Sequence, residues 1–387
     1  MKPMRLARVL RVNDVAFKRI GLRVLMSFCG LRAPHADFVR DELNLSKKIP
    51  DINRRIGIVN RIRCLKRGFN SDKFLIYGFG ESWDKCGGYL TDYDRTRRLE
   101  ALGWPFFYIA HDKLVFERFF ADKCNVISSS HFLYGGRIYP LKNSQACAIR
   151  TVEDLVLSTV HGVDYILKPI KASGGDGIFR LSHLSDGVFL MNGVRKSLAQ
   201  ACQDVSSLNV YSVGERFVQA GLAHEIFPDT LNTIRVVTMF DPRENSAFVP
   251  LAVHRFGTKM STPVDNIDKG GFAVSIDVET GIMGVGYNIR SGVPRTFSTH
   301  PDSGITFTGL RIPAWDEIRD TMVRLANYIP QLPMCGWDIV LSGREVYVLE
   351  LNYNPGLFQF FRPYLTIPKV KEVLEHYHVI TFGKRYR

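Results

Sequence analysis

Three oxygen-bearing side chains near the carboxyl-terminal end of the chain have the spacing of a metal site. Residues 339–341 and 346–349 are apolar and predict two strands joined by a tight turn. Because strand side chains alternate, Glu350 and Asn352 share one face, and Asp338 falls roughly opposite Glu350 across the hairpin. Two carboxylates and an amide are hard oxygen donors, which suits Mg²⁺ with nucleotide phosphates in its remaining positions. A hairpin that simply has polar ends is the alternative for these residues alone.

A lysine followed by a glycine-rich loop forms a second candidate site. Residues 165–167 predict a short strand that leads into Lys168, and residues 170–178 are rich in glycine. Such a loop can place several backbone N–H groups against phosphate oxygens, while the lysine supplies a positive charge. The spacing is that of neither the P-loop nor the Rossmann fingerprint. A flexible turn is the alternative for the loop alone.

A second lysine stands at the start of a predicted helix. Asp112 is a suitable N-cap for a helix over residues 112–121, and Lys113 then lies in its first turn. A lysine in this position is usually solvated. It becomes informative only through its order and spacing relative to the other two features.

That order of features resembles the ATP-grasp superfamily. An Asp-Lys pair is followed about fifty-five residues later by Lys-Pro and the glycine-rich loop, then by an acidic strand, then by Asp and the motif Glu-x-Asn-x-x-Pro-Gly. Residues 228–238, 254–257 and 264–271 resemble more narrowly the sugar-transfer-associated branch, which is related to the α-L-glutamate ligases. The resemblance covers about residues 105–365, and residues 1–75 have no counterpart in it.

The resemblance implies an α+β ATP-grasp fold in which two α+β lobes clasp ATP. Asp338, Glu350 and Asn352 would then bind one or two Mg²⁺ ions, with Mn²⁺ as an alternative ion. The nucleotide contacts that it implies are Lys113, Lys168, Ser173, Gly174, Gly175, Gly177, Glu215, Arg216, Phe217 and Val218. Relatives also carry a ribose-binding glutamate shortly after the acidic strand, and Glu225 is the nearest acidic residue to that position.

Arg235, Arg255 and Asn266 are the predicted catalytic residues. The two arginines lie on predicted strands, over residues 233–240 and 248–256, and a planar guanidinium suits bidentate contact with phosphate or carboxylate. Asn266 lies in a glycine-containing segment that is expected to close over the acyl acceptor. Surface salt bridges for the arginines and an ordinary structural turn for Asn266 are the alternatives.

The resemblance implies an ATP-dependent carboxylate–amine ligase that forms an amide through an acyl phosphate, in polysaccharide or glycoconjugate biosynthesis. Its substrates would be a small-molecule or sugar-linked carboxylate and an amine. In D-alanine:D-alanine ligases an arginine two residues before the first metal aspartate contacts the substrate, whereas this chain has Gly336 there, so its substrate pocket is differently built. Two alternatives stay open: a phosphotransferase acting on a sugar hydroxyl, and a non-catalytic ATP-binding regulatory protein.

The composition is that of a soluble globular protein. The chain has 387 residues, of which 45% are apolar and 23% are charged, enough for two or three lobes with their own cores. No apolar run reaches the length of a transmembrane helix, and the first residues do not have the pattern of a signal peptide. Seven dispersed cysteines without a Cys-x-x-Cys pair predict a reduced, cytoplasmic protein. The histidines form no His-x-x-x-His pair, so no zinc site is expected.

Nearly all of the excess positive charge lies in the amino-terminal segment. The formal net charge of the chain is +13, and residues 1–73 hold 18 Lys and Arg against 6 Asp and Glu. In residues 1–30 basic and apolar side chains interleave as in a basic amphipathic helix, which predicts peripheral contact with the inner face of an anionic membrane. Aromatic side chains are scarce there, so no nucleic-acid partner is expected. A solvated arm that packs on its own protein is the alternative.

These features divide the chain into five segments. They are a basic, mainly helical arm over residues 1–75, a small segment over 76–107, a first ATP-grasp lobe with the glycine-rich loop over 108–220, a second lobe with the metal site over 221–365, and a carboxyl-terminal helix and tail over 366–387. Further helices are predicted over residues 92–102, 152–161, 314–328 and 369–377.

Overall fold

Two seven-stranded sheets form the frame of the protein. The computed structural model describes residues 36–49, 52–141, 149–171, 175–289, 294–356 and 358–380. Within these residues the strands of both sheets pair in antiparallel fashion, and helices pack on each sheet, so the predicted α+β class is confirmed. The predictions for residues 1–30, Ser173 and Gly174 lie outside the described residues.

Short helices make up the amino-terminal segment before the first sheet. They are α1 (Ala36–Lys48), α2 (Ile52–Ile56), α3 (Ile58–Lys66), α4 (Lys73–Ile76), a 3-10 helix at Trp83–Gly88, α5 (Asp92–Asp94), a π-helical turn at Arg95–Leu99, α6 (Glu100–Gly103), a 3-10 helix at Trp104–Phe106, α7 (Phe107–His111) and α8 (Lys113–Phe120). The buried carboxylate of Glu42 links α1 to α3 and to the segment before α4. It accepts hydrogen bonds from Arg61 Nη2 at 2.6 Å and from the backbone N–H of Ser71 at 2.8 Å.

The first sheet has the strand order β2-β1-β7-β3-β4-β5-β6. Its elements are β1 (His131–Tyr134), β2 (Arg137–Pro140), α9 (Val152–Ser158), a 3-10 helix at Thr159–His161, β3 (Tyr165–Pro169), β4 (Phe179–Ser185), β5 (Val188–Met191), β6 (Val194–Ser197), α10 (Leu198–Ser207) and β7 (Tyr211–Glu215). Capping boxes start α9 and α10. Leu155 and Val205 of these helices pack with Leu167 and Val213 of the sheet, and Lys168 therefore lies on the opposite face.

The second sheet has the strand order β12-β11-β10-β9-β8-β13-β14. Its elements are α11 (Leu222–Ile226), β8 (Ile234–Asp241), β9 (Ser246–Phe256), a 3-10 helix at Ile267–Lys269, β10 (Phe272–Ile276), β11 (Met283–Asn288), β12 (Arg295–Phe297), α12 (Trp315–Tyr328), β13 (Met334–Ser342) and β14 (Glu345–Asn352). One face carries Val236, Trp337 and Ile339, which are covered by Ile318 and Met322 of α12.

Helix α8 packs with the second sheet rather than the first. Phe116 and Phe120 belong to the core that contains Trp337, and the Phe120 and Trp337 rings meet edge-on at 5.5 Å. Val126 forms a parallel bridge with Val348 just afterwards. The predicted first lobe starts at residue 108, whereas by packing this helix belongs to the second lobe and the first sheet begins at His131.

The other face of the second sheet changes character along its strands. Toward one end Val237, Met334 and their neighbours are covered by Tyr364, from a 3-10 helix at Tyr364–Thr366, and by α13 (Pro368–His376). Further along the same strands this face becomes polar, as the register of β8 and β13 pairs Val237 with Gly336 and then Arg235 with Asp338. The polar end of this face is the candidate active site.

Candidate active site

The metal-site hairpin has the predicted strands and faces. β13 and β14 are joined by a two-residue turn, since Ser342 pairs with Glu345, and Asp338 lies opposite Glu350. The register shifts between Asp338 and Ile339, which pairs with Val348. Without this bulge a regular ladder would pair Asp338 with Leu349. The Glu350 side chain would then point to the opposite face of the sheet from Asp338. The bulge therefore places the two carboxylates side by side.

Two arginines hold Asp338 in place. Arg235 Nη2 donates to Asp338 Oδ2 at 2.8 Å while its Nε donates to Oδ1, and Arg255 Nη2 also donates to Oδ2 at 3.1 Å. Asp338 and Arg235 are both buried. Burial alone would raise the pKa of Asp338, but the two guanidinium groups outweigh it and hold the pKa well below its ordinary value. Asp338 is thus a fixed, ionised carboxylate.

Asp265, which the sequence analysis assigns no role, orients Arg255 from the far side. Thr233 Oγ1 accepts hydrogen bonds from Arg255 Nε and Nη2 at 2.8 and 2.5 Å and donates to Asp265 Oδ2 at 2.5 Å. Arg255 Nε also lies 3.5 Å from Asp265 Oδ2. The neighbouring Asn266 instead caps a 3-10 helix, with its Oδ1 accepting from the Asp268 N–H at 2.8 Å. Asp265 therefore contacts both Thr233 and Arg255 of the arginine network.

Glu350 and Asn352 lie beside each other at the edge of this network. Asn352 Nδ2 donates to Glu350 Oε1 at 3.2 Å. Burial, followed by the charge of Asp338, raises the pKa of Glu350, and Arg235 and Lys113 offset this only in part. An ionised Glu350 therefore lacks full compensation from the protein, which is the electrostatic condition that a bound cation would relieve.

The three oxygen donors of the hairpin suit a Mg²⁺ ion that takes its other ligands from water or phosphate. Among the described residues no cluster of three or more His, Cys, Asp or Glu side chains could hold a metal ion. Two carboxylates and the amide oxygen of Asn352 leave several positions of an octahedral shell for water or phosphate oxygens, as Mg²⁺ prefers. Asp338 Oδ1 and Oδ2 already accept hydrogen bonds from the arginines, so an ion would share this carboxylate with them.

The fold brings Lys113 and Lys168 together from different elements. Asp112 caps α8 as predicted, since its Oδ1 accepts from the N–H groups of Leu114 and Val115, both at 3.1 Å. The Lys113 N–H donates to Ile170 O at 3.4 Å, beside the end of β3. Burial lowers the pKa of both lysines, and the charge of Lys113 lowers that of Lys168 further. Glu350 and Glu117 act on both lysines in the opposite direction. The two lysines thus form a cationic pair next to the metal-site hairpin.

The described part of the glycine-rich loop requires glycine for steric reasons. Gly175 has φ +74°, and a Cβ there would lie 2.7 Å from Cγ1 of Val264. Gly177 has φ +71°, and a Cβ there would lie 3.0 Å from both Pro169 Cγ and the Tyr211 hydroxyl. The loop therefore passes close to β3, β7 and the segment of the second lobe that precedes Asp265.

The nucleotide contacts predicted over residues 215–218 do not all lie on the face of the first sheet that carries Lys168. β3 and β7 pair Lys168 with Ser212, so alternation puts the Glu215 side chain on the opposite face from Lys168. Arg216 donates its backbone N–H to Asp164 O at 2.7 Å, and Phe217 meets the Tyr347 ring at 5.0 Å. The remaining two residues of the prediction are exposed: Val218 and, on α11, Glu225.

Gly336 is a position that cannot carry a side chain here. A Cβ would lie 2.5 Å from Pro355 Cβ and 3.1 Å from Arg235 Cδ. Arg235, from the neighbouring strand, therefore occupies the space beside Gly336.

Two residues that precede the resemblance, Arg95 and Glu100, contact the segment just after Asn352. Arg95 Nη1 donates to Asn354 Oδ1 at 2.8 Å, and Asn354 Nδ2 donates to Glu100 Oε2 at 3.0 Å. The Tyr353 hydroxyl donates to the other oxygen of Glu100 at 3.4 Å. These contacts fix both ends of the Asn354 amide, two residues after Asn352. Arg95 lies in the π-helical turn, a feature that often marks functional sites.

Several of these contacts have little or no signal in the local sequence. Glu117 lies one helical turn after Lys113, which is a usable local signal for proximity. Asp265 stands next to the predicted Asn266, and its contact with Thr233 and Arg255 forms only once the strands that carry them have paired. Nothing in the local sequence around Arg95 or Glu100 indicates a contact with residues some 250 positions away.

None of the helices in the described ranges combines the length and apolar character needed to span a bilayer.

The chain has distant likenesses to several solved structures. An N5-carboxyaminoimidazole ribonucleotide synthetase from Thermotoga maritima is 11% identical, with 72% of this chain and 52% of that chain covered and a TM-score of 0.36. A D-alanine–D-alanine ligase from Bacillus anthracis complexed with ATP is 12% identical, with 69% and 65% covered and a TM-score of 0.35. A biotin carboxylase from Campylobacter jejuni is 10% identical, with 72% and 48% covered and a TM-score of 0.39.

The chain thus spans about half to two thirds of the length of these proteins. No curated protein matches its sequence. The sequence model of the family described as sugar-transfer associated ATP-grasp matches residues 107–361, well over half of the chain. The protein belongs to the sugar-transfer associated ATP-grasp family.

Proposed function

We propose that this protein is an ATP-dependent carboxylate–amine ligase that forms an amide through an acyl phosphate, in polysaccharide or glycoconjugate biosynthesis. The observation that carries the proposal is the convergence of Lys113, Lys168 and the hairpin of Asp338, Glu350 and Asn352: the Lys113 N–H donates to Ile170 O just after Lys168, and the segment after the Lys113 helix pairs with β14 at Val348. Two cations beside hard oxygen donors suit a Mg²⁺-bound triphosphate. The substrates would be a small-molecule or sugar-linked carboxylate and an amine.

The chain's own residues would act on this chemistry mainly by placing charge. Lys113 and Lys168 would bind phosphate oxygens, and Asp338, Glu350 and Asn352 would hold one or two Mg²⁺ ions. When bound, the metal neutralises negative charge on the transferring phosphoryl group. Arg235 and Arg255 keep Asp338 ionised and fixed, so the metal site needs little rearrangement to form.

Trapping of the acyl phosphate tests this proposal. Mg·ATP would be incubated with hydroxylamine and a panel of uronic acids, nucleotide-linked uronates and amino acids, and ADP and hydroxamate would be measured, with Glu350→Gln as the inactive control. We expect one carboxylate to give both ADP and hydroxamate. ADP release with a sugar but without hydroxamate would contradict the ligase and indicate a phosphotransferase that acts on a sugar hydroxyl. ATP binding without ADP release across the panel would count against ligation of these substrates and favour the regulatory protein.

We also propose that residues 1–30 contact an anionic membrane from the cytoplasmic side. This segment carries seven Lys and Arg against one Asp, interleaved with apolar residues. Such a segment is attracted to anionic lipid and can bury its apolar side chains at the bilayer surface.

Breaking the contact between Arg95 and Asn354 should weaken the metal site. We expect Arg95→Ala to lower the affinity for Mn²⁺ in the presence of a non-hydrolysable ATP analogue about threefold, because Arg95 holds Asn354, two residues after Asn352, and direct partners of metal ligands contribute about 10- to 100-fold. Arg97→Ala is the matched control, since Arg97 is exposed on the same π-helical turn and interacts with Tyr93 instead. Electron paramagnetic resonance of Mn²⁺ gives the affinity. Equal Mn²⁺ affinity in both variants would show that this contact supports the fold alone.

A further inference from the structure

A helix face in the amino-terminal segment exposes apolar side chains to solvent. On α3, Val59 is 73% exposed and Ile58 is 44% exposed. Cys64 and Leu65 of the same helix are buried, so the exposed pair lies outside the core that the helix contributes to. This surface has no part in the candidate active site.

The same face is strongly basic. Residues 52–71, which include α2 and α3, contain six Lys and Arg and no Asp or Glu. Arg61 turns inward to the buried Glu42, whereas Arg54, Arg63 and Lys66 are exposed. The Arg63 guanidinium lies 4.4 Å from the Trp83 ring centroid, which holds this cation at the surface.

The cations and the apolar side chains form one stripe. Val59, Arg63 and Lys66 are spaced at i, i+4 and i+7 and therefore share a face of α3. Exposed valine and isoleucine among cations is the pattern of a helix that lies on an anionic bilayer, with basic groups at the phosphates and apolar groups just below them.

Charge separates this partner from the other candidates. A second copy of the chain would bring two basic faces together, and residues 1–30 carry a net positive charge that this face would repel. Nucleic acid would satisfy the cations, but it offers nothing for Ile58 and Val59 to bury against except stacked bases. An anionic lipid surface satisfies both kinds of side chain.

We propose that the exposed face of α3, formed by Ile58, Val59, Arg63 and Lys66, docks on an anionic lipid bilayer together with the exposed Arg54 of the preceding helix α2. This docking surface goes beyond the ligase chemistry and does not depend on it. Together with residues 1–30 it would give two membrane contacts on one segment, and stable attachment to a bilayer generally needs two.

Sedimentation of the full chain with vesicles tests the proposal. The vesicles would be phosphatidylcholine alone or phosphatidylcholine mixed with phosphatidylglycerol. For the mixed vesicles at low salt we expect Val59→Ser to weaken binding about tenfold through lost burial. We expect Arg54→Gln/Lys66→Gln to weaken it about thirtyfold through lost attraction to anionic lipid. Binding by the parent chain should fall at high salt and be much weaker for phosphatidylcholine alone.

Matched controls come from the first sheet. Val194 is 58% exposed, and Arg137 and Arg195 are exposed on β2 and β6, so Val194→Ser and Arg137→Gln/Arg195→Gln repeat the same chemical changes elsewhere. Both controls should bind mixed vesicles as the parent chain does. Thermal melting verifies that every variant is folded.

Three results would overturn the docking surface. If deletion of residues 1–30 abolishes binding while Val59→Ser and Arg54→Gln/Lys66→Gln leave it unchanged in the full chain, the arm alone carries membrane contact. If binding depends on charge but not on Val59, and a duplex DNA oligonucleotide displaces the vesicles, the face binds nucleic acid. If the full chain does not sediment with mixed vesicles, neither membrane contact exists. None of these results alters hydroxamate formation in solution, so the two proposals fail separately.

Discussion

Glu350→Gln should abolish turnover and leave the protein folded. Glutamine retains the size of the side chain and can still accept the hydrogen bond from Asn352, but it removes one of the two carboxylate charges that a Mg²⁺ ion requires. Loss of a metal ligand at a phosphoryl-transfer site costs several kcal/mol of transition-state stabilisation, so we expect a fall in ADP release of roughly a thousandfold or more. Mn²⁺ affinity in the presence of a non-hydrolysable ATP analogue should fall in parallel.

The matched control is Glu345→Gln. Glu345 is at the opposite end of the same strand, is exposed, and accepts a hydrogen bond from the Tyr347 hydroxyl at 2.8 Å. The same substitution there should change neither ADP release nor Mn²⁺ affinity. Retention of both properties by Glu350→Gln would remove Glu350 from the metal site.

The stability of Glu350→Gln should move in the opposite direction to its activity. Because the folded-state pKa of Glu350 is raised, ionisation of this carboxyl costs stability as the pH rises through that value, and the neutral glutamine avoids the cost. At neutral pH we expect a melting temperature at or above that of the parent chain. The difference should shrink as the pH falls from the folded-state pKa toward the ordinary glutamate value of 4.5, because the parent carboxyl becomes neutral in the folded protein over this range. A lower melting temperature at neutral pH would mean that Glu350 stabilises the fold.

The metal-site hairpin shows how far local pattern reaches. Strand alternation and the turn predict two strands and place Glu350 and Asn352 on one face. The pairing of Asp338 with Glu350 also needs the register shift beside Ile339, and a regular ladder counted from the turn would have put Asp338 opposite Leu349. Nothing in the composition of these strands specifies a bulge. The prediction places Asp338 only roughly opposite Glu350, and the register shift makes the pairing direct.

Helix α8 shows where local pattern ends. Phe116 and Phe120 are spaced at i and i+4, so the sequence predicts an apolar face, but it does not say which sheet receives that face. In the structure the second sheet receives it, through Trp337. Lys113, at the start of the helix, is thereby attached to the lobe that carries the metal-site hairpin, and it meets Lys168 across the boundary between the lobes.

Asn266 and Asp265 illustrate a different limit. Both are short polar residues at a loop, and either could have served the site. An asparagine two residues before a backbone N–H commonly accepts from it and starts a helical turn, as Asn266 does with Asp268. That local preference leaves Asp265 to reach Thr233 and Arg255, which come from β8 and β9 and meet only once the sheet has formed.

Lys168→Ala should weaken ATP binding while leaving the unliganded protein stable. Lys168 is held beside Lys113, and burial together with that like charge lowers its pKa, so the empty site contains a repulsion that a triphosphate would relieve. Removing Lys168 removes this repulsion and one charge-assisted hydrogen bond to phosphate. Such a bond contributes about 1.5 to 3 kcal/mol, which corresponds to roughly 10- to 100-fold in affinity. Calorimetric titration with Mg²⁺ and a non-hydrolysable ATP analogue measures the change.

Lys171→Ala separates the specific contact from a general loss of positive charge. Lys171 is three residues further along, and its Nζ lies 5.3 Å from the Tyr108 ring centroid. If phosphate binding depended only on the net charge of this region, both variants would lose affinity to a similar degree. If it depends on the meeting of two lysines from different elements, Lys168→Ala and Lys113→Ala should each lose affinity and Lys171→Ala should bind as the parent chain does. Unchanged affinity in Lys168→Ala would mean that the nucleotide binds elsewhere, because removing one of the two lysines must weaken the binding of a phosphate that contacts both.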